Sequence, residues 1–405
     1  MNLLFINNSN VNPLNSGIQR ITSVLALGFS AQKINCYGAY FDHSQESKER
    51  LFIDKIKLDF SHKSSCQLQD FIKKYNISQI IVQECYPLKR LTFIWNAIQS
   101  IPSCQLLYCF HSMPGKEFIR PSFHAELFRY FHAPQKIQTL KKILVASLPI
   151  FLYNQFVRKK VQKEYSLIYQ SSHKIVLLSE YFIPQFIKLS QISHINHSKF
   201  IAIGNALPFK HEISTDILLG KQKEVLIVSR LSERQKRISI ALKIWQRIEQ
   251  SENYKDWRLK ILGSGPDEKY YHHLAQKLQL KQVDFEGKQA PKSYYQQASI
   301  CMQTSSHEGL SMVLLEAQQM GSVPIAFSSF DSIYDIIEHE YNGILIPYGN
   351  IEEYAKQLMQ LMDTKTKRNK MAIYGMNSCQ KFAEEQIINM WQQHLKTMTI
   401  SHTIL

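Results

Sequence analysis

The chain has 405 residues, 44% of them hydrophobic and 20% charged, which suits two folded domains and excludes a disordered polymer. No apolar run reaches the roughly 18 residues that a spanning helix needs, and the start, Met1-Asn-Leu-Leu-Phe-Ile-Asn, reads as a buried first strand rather than a signal peptide. Seven scattered cysteines, Cys36, Cys66, Cys85, Cys104, Cys109, Cys301 and Cys379, are odd in number and lack metal-ligand spacing, so a reduced cytosolic chain is expected. A net charge of +15 and a pI near 9.3 favour anions. Nucleic acid, anionic lipid and phosphorylated substrates all qualify, and so does a plain soluble protein of a lysine-rich proteome.

Short apolar runs at 3–6, 34–40, 77–82, 106–110, 175–178 and 200–203 predict strands, with helical segments at 18–30 and 68–75. The pattern breaks at Asn205-Ala-Leu-Pro208 and resumes. Strands are expected at 224–229, 258–262, 283–286, 299–303, 323–327 and 343–346, and a helix at 239–249. Alternating strands and helices imply parallel sheets covered on both faces. The chain therefore reads as α/β, with two doubly wound Rossmann-like domains: 1–206 first, 207–383 second, and a closing segment 384–405. Ligands of such folds bind beyond the carboxyl ends of the strands, here in a cleft facing both domains.

One segment, 112–170, interrupts the first series as a helical insertion. It contains Lys141-Lys-Ile-Leu-Val-Ala-Ser-Leu-Pro-Ile-Phe-Leu-Tyr153, followed by Arg158-Lys159-Lys160. Apolar residues flanked by cations suit an interfacial membrane segment. An ordinary pair of core helices with basic ends fits the same pattern.

The strongest motif is Ser305-Ser-His-Glu308-Gly309-Leu310-Ser311-Met312-Val313-Leu-Leu-Glu316-Ala317, which follows a strand and opens a helix. It puts Glu308 in the strand-to-helix loop and Glu316 within the helix. Between them Gly309, Leu310, Ser311, Met312 and Val313 expose helix N-terminal amides, a ready site for a diphosphate. A carboxylate further along can accept both hydrogen bonds of a ribose diol. Either glutamate alone would read as a solvated surface charge.

Val228-Ser229-Arg230-Leu231 ends a strand, and Lys236 follows. Two cations beside a diphosphate stabilise the charge that grows as a sugar departs, the role a metal fills elsewhere. Gly263-Ser264-Gly265-Pro266 is a tight strand-to-helix turn, with a structural role as its simplest explanation. Asn15-Ser16-Gly17-Ile18 opens a helix after the first strand, and Gly17 would let backbone approach a phosphate. His111 follows the strand at 106–110 and faces the expected cleft, where it either donates to a sugar or serves the local structure. Asn205 reads as a turn or capping residue.

Together these residues resemble glycosyltransferase family 4, of the GT-B fold. The elements in order are Ser229-Arg230-Leu231 with Lys236, Gly263-Ser-Gly-Pro266, Glu308 with Glu316, and Asn342-Gly343; the likeness covers about residues 222–365. Gly17, His111, Ser179 and Asn205 give a thinner likeness in the first half. The resemblance implies a retaining hexosyltransferase that needs no metal or other cofactor and uses a nucleotide diphosphate sugar, a UDP-sugar ahead of a GDP-sugar. It implies Arg230 and Lys236 on the diphosphate, Glu308 at the donor sugar, Glu316 on the ribose, and the backbone of Ser311, Met312 and Val313 on phosphate. Gly263 would line the donor site, Gly17 would close its first-domain side, and His111 would touch the transferred sugar. The mechanism implied is front-face, with the leaving diphosphate taking the acceptor proton.

Two departures stand out: Ser229 precedes the arginine where the family often has glycine, and Ser16-Gly17 replaces a glycine pair. By the same resemblance the last helix crosses back onto the first domain. The likeness to builders of bacterial surface polysaccharide, lipopolysaccharide or capsule, implies a lipid-linked saccharide acceptor. It also implies a peripheral place on the anionic inner face of the cytoplasmic membrane. Nucleic acid is not an expected partner, because aromatic and basic residues do not interleave as stacking platforms require. A GT-B epimerase, a phosphorylase and a degenerate binding protein are the alternatives.

Overall fold

The computed structural model describes residues 1–13, 16–42, 50–83, 88–132, 136–209 and 214–400. Asn15 and Cys85 lie outside them. Two compact units are present. The first comprises Met1–Gly115, Arg158–Pro208 and Phe382–Leu405, and the second Lys116–Val157 and Phe209–Lys381.

The first unit is built on seven parallel strands: β1 (Asn2–Ser9), β2 (Asn35–Asp42), β3 (Lys55–Lys57), β4 (Gln79–Gln83), β5 (Gln105–Phe110), β6 (Lys174–Leu177) and β7 (Phe200–Ala202). Their order is β3-β2-β1-β4-β5-β6-β7. Helices on both faces leave the central strands nearly dry, and every residue of β4 is buried. The edge strand β3 is three residues of Lys-Ile-Lys, too short and too charged to be visible as an apolar run. The helix Glu384–Ile400 belongs to this unit and packs on the helix Gly17–Ala31. Trp391 sets its edge against Phe29, and a Cβ on Gly28 would stand 2.6 Å from Ile388. Gln79 anchors the helix from the sheet by donating to the Leu395 carbonyl at 2.8 Å.

The second unit holds β8 (Gln222–Val228), β9 (Arg258–Leu262), β10 (Val283–Gly287), β11 (Ala298–Gln303), β12 (Val323–Phe327) and β13 (Ile344–Ile346), all parallel. The order is β10-β9-β8-β11-β12-β13. Chain direction across the sheet therefore reverses between β8 and β11, the switch point where ligands of open α/β sheets bind. Trp245, Tyr271 and Tyr354 fill the core, and the Tyr354 hydroxyl donates to the Ile325 carbonyl at 2.6 Å.

The insertion expected wholly within the first domain divides. Residues 116–157 pack into the second unit, and the division falls inside the helix Ile150–Gln170. The reason is a buried charge cluster. Arg129 grips Asp267 through Nε–Oδ1 at 2.6 Å and Nη2–Oδ2 at 2.5 Å, and Glu126 accepts from Arg129 Nη1 at 2.5 Å. Phe128 packs on Tyr270 and His273 beside it. Among the described residues no helix is long and apolar enough to cross a membrane.

Candidate donor site at the switch point of the second sheet

The loops leaving β8 and β11 meet at the switch point. After β8 the chain makes the short helix Glu233–Lys236, turns at Arg237, and enters the helix Ile238–Glu249. Arg237 holds a left-handed conformation, φ 53° and ψ 39°, which is uncommon for a residue with a side chain. This turn carries Lys236 under the loop that follows β11. Ser306 N–H donates to the Gln235 carbonyl at 2.7 Å, and Thr304 Oγ1 donates to the Lys236 carbonyl at 3.0 Å. Ser306 Oγ reaches the Arg234 carbonyl at 3.0 Å.

Glu308 is buried at the centre of this contact. Lys236 Nζ lies 2.6 Å from its Oε1, and Gln235 Nε2 donates to its Oε2 at 3.0 Å. Each carboxylate oxygen thus has its own donor, which fixes the plane of the group. His307, next to it, is pushed down to about 4 by burial and by Arg234, Lys116 and Lys236, with only Glu308 opposing them. It stands neutral at pH 7, and its Nδ1 is 2.9 Å from Ser306 Oγ.

The helix Met312–Gln319 begins directly after this loop. Ser311 caps it, with its side chain held by Gln303 Nε2 at 2.8 Å. The amides of Met312 and Val313 in the first turn have no intrahelical acceptor, the geometry that suits an anion at a helix N-terminus. Ser332 Oγ donates to the Gly309 carbonyl at 2.7 Å and Ser329 Oγ to that of Ser305 at 2.6 Å. Those contacts occupy carbonyls and leave amides for a ligand. Leu310 is buried, and Glu316 is buried within the helix.

Arg230 follows β8 and its side chain is exposed; no hydrogen bond or ion pair engages it among the described residues. Its backbone is confined. Gly263 has φ 134°, and a Cβ there would fall 1.8 Å from the Ser229 carbonyl oxygen. A Cβ on Gly265 would fall 2.4 Å from that of Leu231. The Gly-Ser-Gly turn is glycine because it lies flat on the backbone that carries Arg230. Asp267 completes the arrangement by accepting from Glu233 N–H at 2.7 Å while holding Arg129. Glu233 in turn accepts from Ser239 Oγ at 2.6 Å, and burial raises its carboxyl above the ordinary range.

Lys236 and Glu308 are therefore in contact, and Arg230, Gly309, Leu310, Ser311, Met312, Val313 and Glu316 lie on the two loops and the helix they open, with Gly263 in the neighbouring turn after β9. Asn342 is a turn residue: Nδ2 donates to the Ile336 carbonyl at 3.2 Å, and Oδ1 accepts from Glu338 N–H at 2.8 Å. Gln235, His307 and Asp267 were not singled out by the sequence; Gln235 and His307 adjoin motif residues, whereas Asp267 acquires its role through residues 34 and 138 positions away. In the first unit Gly17 opens its helix with open space where a Cβ would stand. Ser179 caps the turn beyond β6, accepting from Tyr181 N–H at 3.2 Å. His111, beyond β5, pairs through Nε2 with Gln83 Oε1. Among the described residues no group of three or more His, Cys, Asp or Glu is placed to hold a metal ion.

Residues 210–378 match the family model described as Glycosyl transferases group 1. The chain is 27% identical over 241 residues to the amylovoran biosynthesis glycosyltransferase AmsD of Erwinia amylovora, covering 58% of this chain and 65% of that one. It is 26% identical over 190 residues to a protein of Campylobacter jejuni, covering 46% of this chain and 52% of that one. That protein is named GalNAc-alpha-(1->4)-GalNAc-alpha-(1->3)-diNAcBac-PP-undecaprenol alpha-1,4-N-acetyl-D-galactosaminyltransferase. The chain spans less than two thirds of the length of these curated relatives. The structure of Anabaena HepE in complex with UDP and glucose superposes with a TM-score of 0.70 at 16% identity, covering 98% of this chain and 99% of that one. The chain has the GT-B fold, and its residues 210–378 match the group 1 glycosyl transferases.

Proposed function

We propose that the chain is a retaining, metal-independent glycosyltransferase that moves a hexose or N-acetylhexosamine from a nucleotide diphosphate sugar to a glycan acceptor. The observation that carries this reading is the Lys236–Glu308 pair beside the open amides of Met312 and Val313, at the switch point of the second sheet. The amides and the two cations, Arg230 and Lys236, suit a diphosphate, and the buried Glu316 suits a ribose diol. The bound UDP and glucose named for the Anabaena neighbour support a uridine donor. Gly17 and His111 are assigned to the donor by the family resemblance alone.

In the proposed reaction the bond between the anomeric carbon and the diphosphate oxygen breaks on one face of the sugar. The acceptor hydroxyl oxygen forms its bond on that same face, and its proton passes to the departing diphosphate. Arg230 and Lys236 stabilise the charge that grows on the diphosphate. Glu308, locked by Gln235, orients the sugar. The second unit is the donor domain and the first the acceptor domain. Surface polysaccharide biosynthesis on a lipid-linked saccharide is the setting proposed, at the inner face of the cytoplasmic membrane; the names of the Erwinia and Campylobacter relatives support it.

The test is thermal unfolding with UDP, GDP and ADP, without and then with a divalent metal. A ligand that binds the folded state raises the midpoint by mass action. A metal-independent shift with UDP is expected. No shift with any of the three, in a folded sample, overturns the donor site.

A further inference from the structure

The helical segment of the second unit bears apolar side chains that the core does not use. On the helix Phe123–His132 the exposed residues Phe123, Leu127 and Phe131 recur every fourth position and form one stripe. On the helix Lys136–Ser147 the exposed Ile137, Leu140 and Leu144 form another, spaced three and four. Ile150, Phe151 and Phe156 extend the set on the next helix. Phe131, Ile137 and Phe156 are 69%, 75% and 74% exposed, far beyond what scattered surface residues of a soluble protein require.

The charges around these stripes have one sign. From residue 127 to 163 the sequence contains no Asp or Glu. Lys136, Lys141 and Lys142 are exposed among the apolar side chains. Arg129, the cation on the inner side, is already neutralised by Asp267 and Glu126. An acidic protein surface would satisfy the lysines but leave bulky apolar side chains on three helices in search of a matching groove. A bilayer with anionic headgroups accepts both, because lysines stay at the phosphates while the apolar rings enter the acyl boundary.

We infer that the helices within 123–157 form a membrane-docking surface specific for anionic lipid, with Phe131, Ile137, Phe151 and Phe156 entering the bilayer and Lys136, Lys141 and Lys142 reading its charge. This deepens the membrane setting proposed above by naming the surface and its lipid chemistry, and it stands even if the chain transfers no sugar. The buried Arg129–Asp267 grip makes the surface a rigid extension of the second unit rather than a loose arm.

The test is co-sedimentation of the full chain with phosphatidylcholine vesicles, with and without phosphatidylglycerol, at low and at physiological salt. The wild type is expected to sediment with the anionic vesicles, less at higher salt, and to ignore the neutral ones. A variant with Lys136→Gln, Lys141→Gln and Lys142→Gln is expected to bind about a hundredfold more weakly. A variant with Phe131→Ser, Ile137→Ser, Phe151→Ser and Phe156→Ser is expected to lose binding while unfolding at the wild-type temperature and keeping its UDP response. Wild type that stays in the supernatant overturns the inference. So does an apolar variant that binds as well as the wild type, because charge alone would then suffice. A wild type that is dimeric without lipid, with a monomeric apolar variant and no vesicle binding, assigns the surface to a second copy and overturns it as well.

Discussion

Lys236 and Glu308 neutralise one another at 2.6 Å, so the cation proposed to receive a diphosphate is paired with a carboxylate of the chain itself. On the proposed reading a diphosphate would share or take Lys236, and Gln235 would keep Glu308 in place as that happens. Lys236→Ala removes transition-state charge stabilisation and leaves a buried carboxylate with a single neutral donor. Turnover is expected to fall by about 100-fold to 1,000-fold, with weaker UDP binding by calorimetry. Activity within a few-fold of the wild type would remove Lys236 from the diphosphate.

Gln235 touches Glu308 and is a positioning residue. Gln235→Ala leaves Lys236 and Glu308 paired but frees one carboxylate oxygen, a loss of about 1–2 kcal/mol in orientation. The expected result is roughly tenfold lower kcat with donor KM nearly unchanged, and partial recovery in Gln235→Asn. A rise in KM alone would mean that Gln235 binds donor directly.

Arg237 turns the chain between Lys236 and the following helix in a left-handed conformation. Glycine adopts it without strain but gains freedom in the unfolded chain, so Arg237→Gly is expected to unfold within about 0.5 kcal/mol of the wild type. A β-branched residue is expelled from that region, and Arg237→Val is expected to be destabilised by about 2 kcal/mol. Urea unfolding of the two variants checks the contrast.

Arg129 and Asp267 form a bidentate pair in which Asp267 is fully buried. Arg129→Ala leaves that carboxylate facing Glu126 without a cation and is expected to cost about 3–5 kcal/mol. Replacing both partners by apolar residues restores less than usual here, because Asp267 also accepts the Glu233 amide. Thermal unfolding of the single and double variants measures both effects.

His307 gives the site an acid limit. An unfolded histidine takes its proton near pH 6.5, the folded one only at about 4. In that window the unfolded chain binds the extra proton, so stability falls as pH drops from about 6.5 towards 4, by about 3 kcal/mol in total. Above pH 6.5 both states are neutral and the effect vanishes. His307→Gln is expected to match the wild type at pH 7.5 and to exceed it at pH 4.5 in urea midpoint. Parallel pH profiles would show that His307 does not titrate as its burial implies.

The two-sheet architecture was legible because central parallel strands are dry on both faces and appear as unbroken apolar runs. Twelve expected strands coincide with strands of the structure, the central ones as apolar runs, and among the described residues β3 alone was hidden, since a three-residue edge with two lysines carries no apolar signal. The carboxylates were legible because Glu308 and Glu316 flank a strand-to-helix loop. The partner of Glu308 was not, because the Lys236 contact depends on how far the Arg237 turn swings the chain. The placement of 116–157 escaped for a similar reason: its attachment runs through Arg129 and Asp267, and sequence periodicity reports which face of a helix is apolar but not which neighbour holds its polar anchor.

The flat stacking of Gly263 and Gly265 on Ser229 and Leu231 bears on the thermodynamics of ligand capture. The backbone on either side of Arg230 is clamped by a neighbouring turn that admits no side chain, so it loses little freedom when an anion binds. The ordering entropy of that encounter is confined to the rotamers of one exposed guanidinium. Calorimetry would register this as a difference between two substitutions. Gly263→Ala forces the turn off the strand and makes binding less favourable in entropy, whereas shortening the side chain in Arg230→Lys changes mainly the enthalpy.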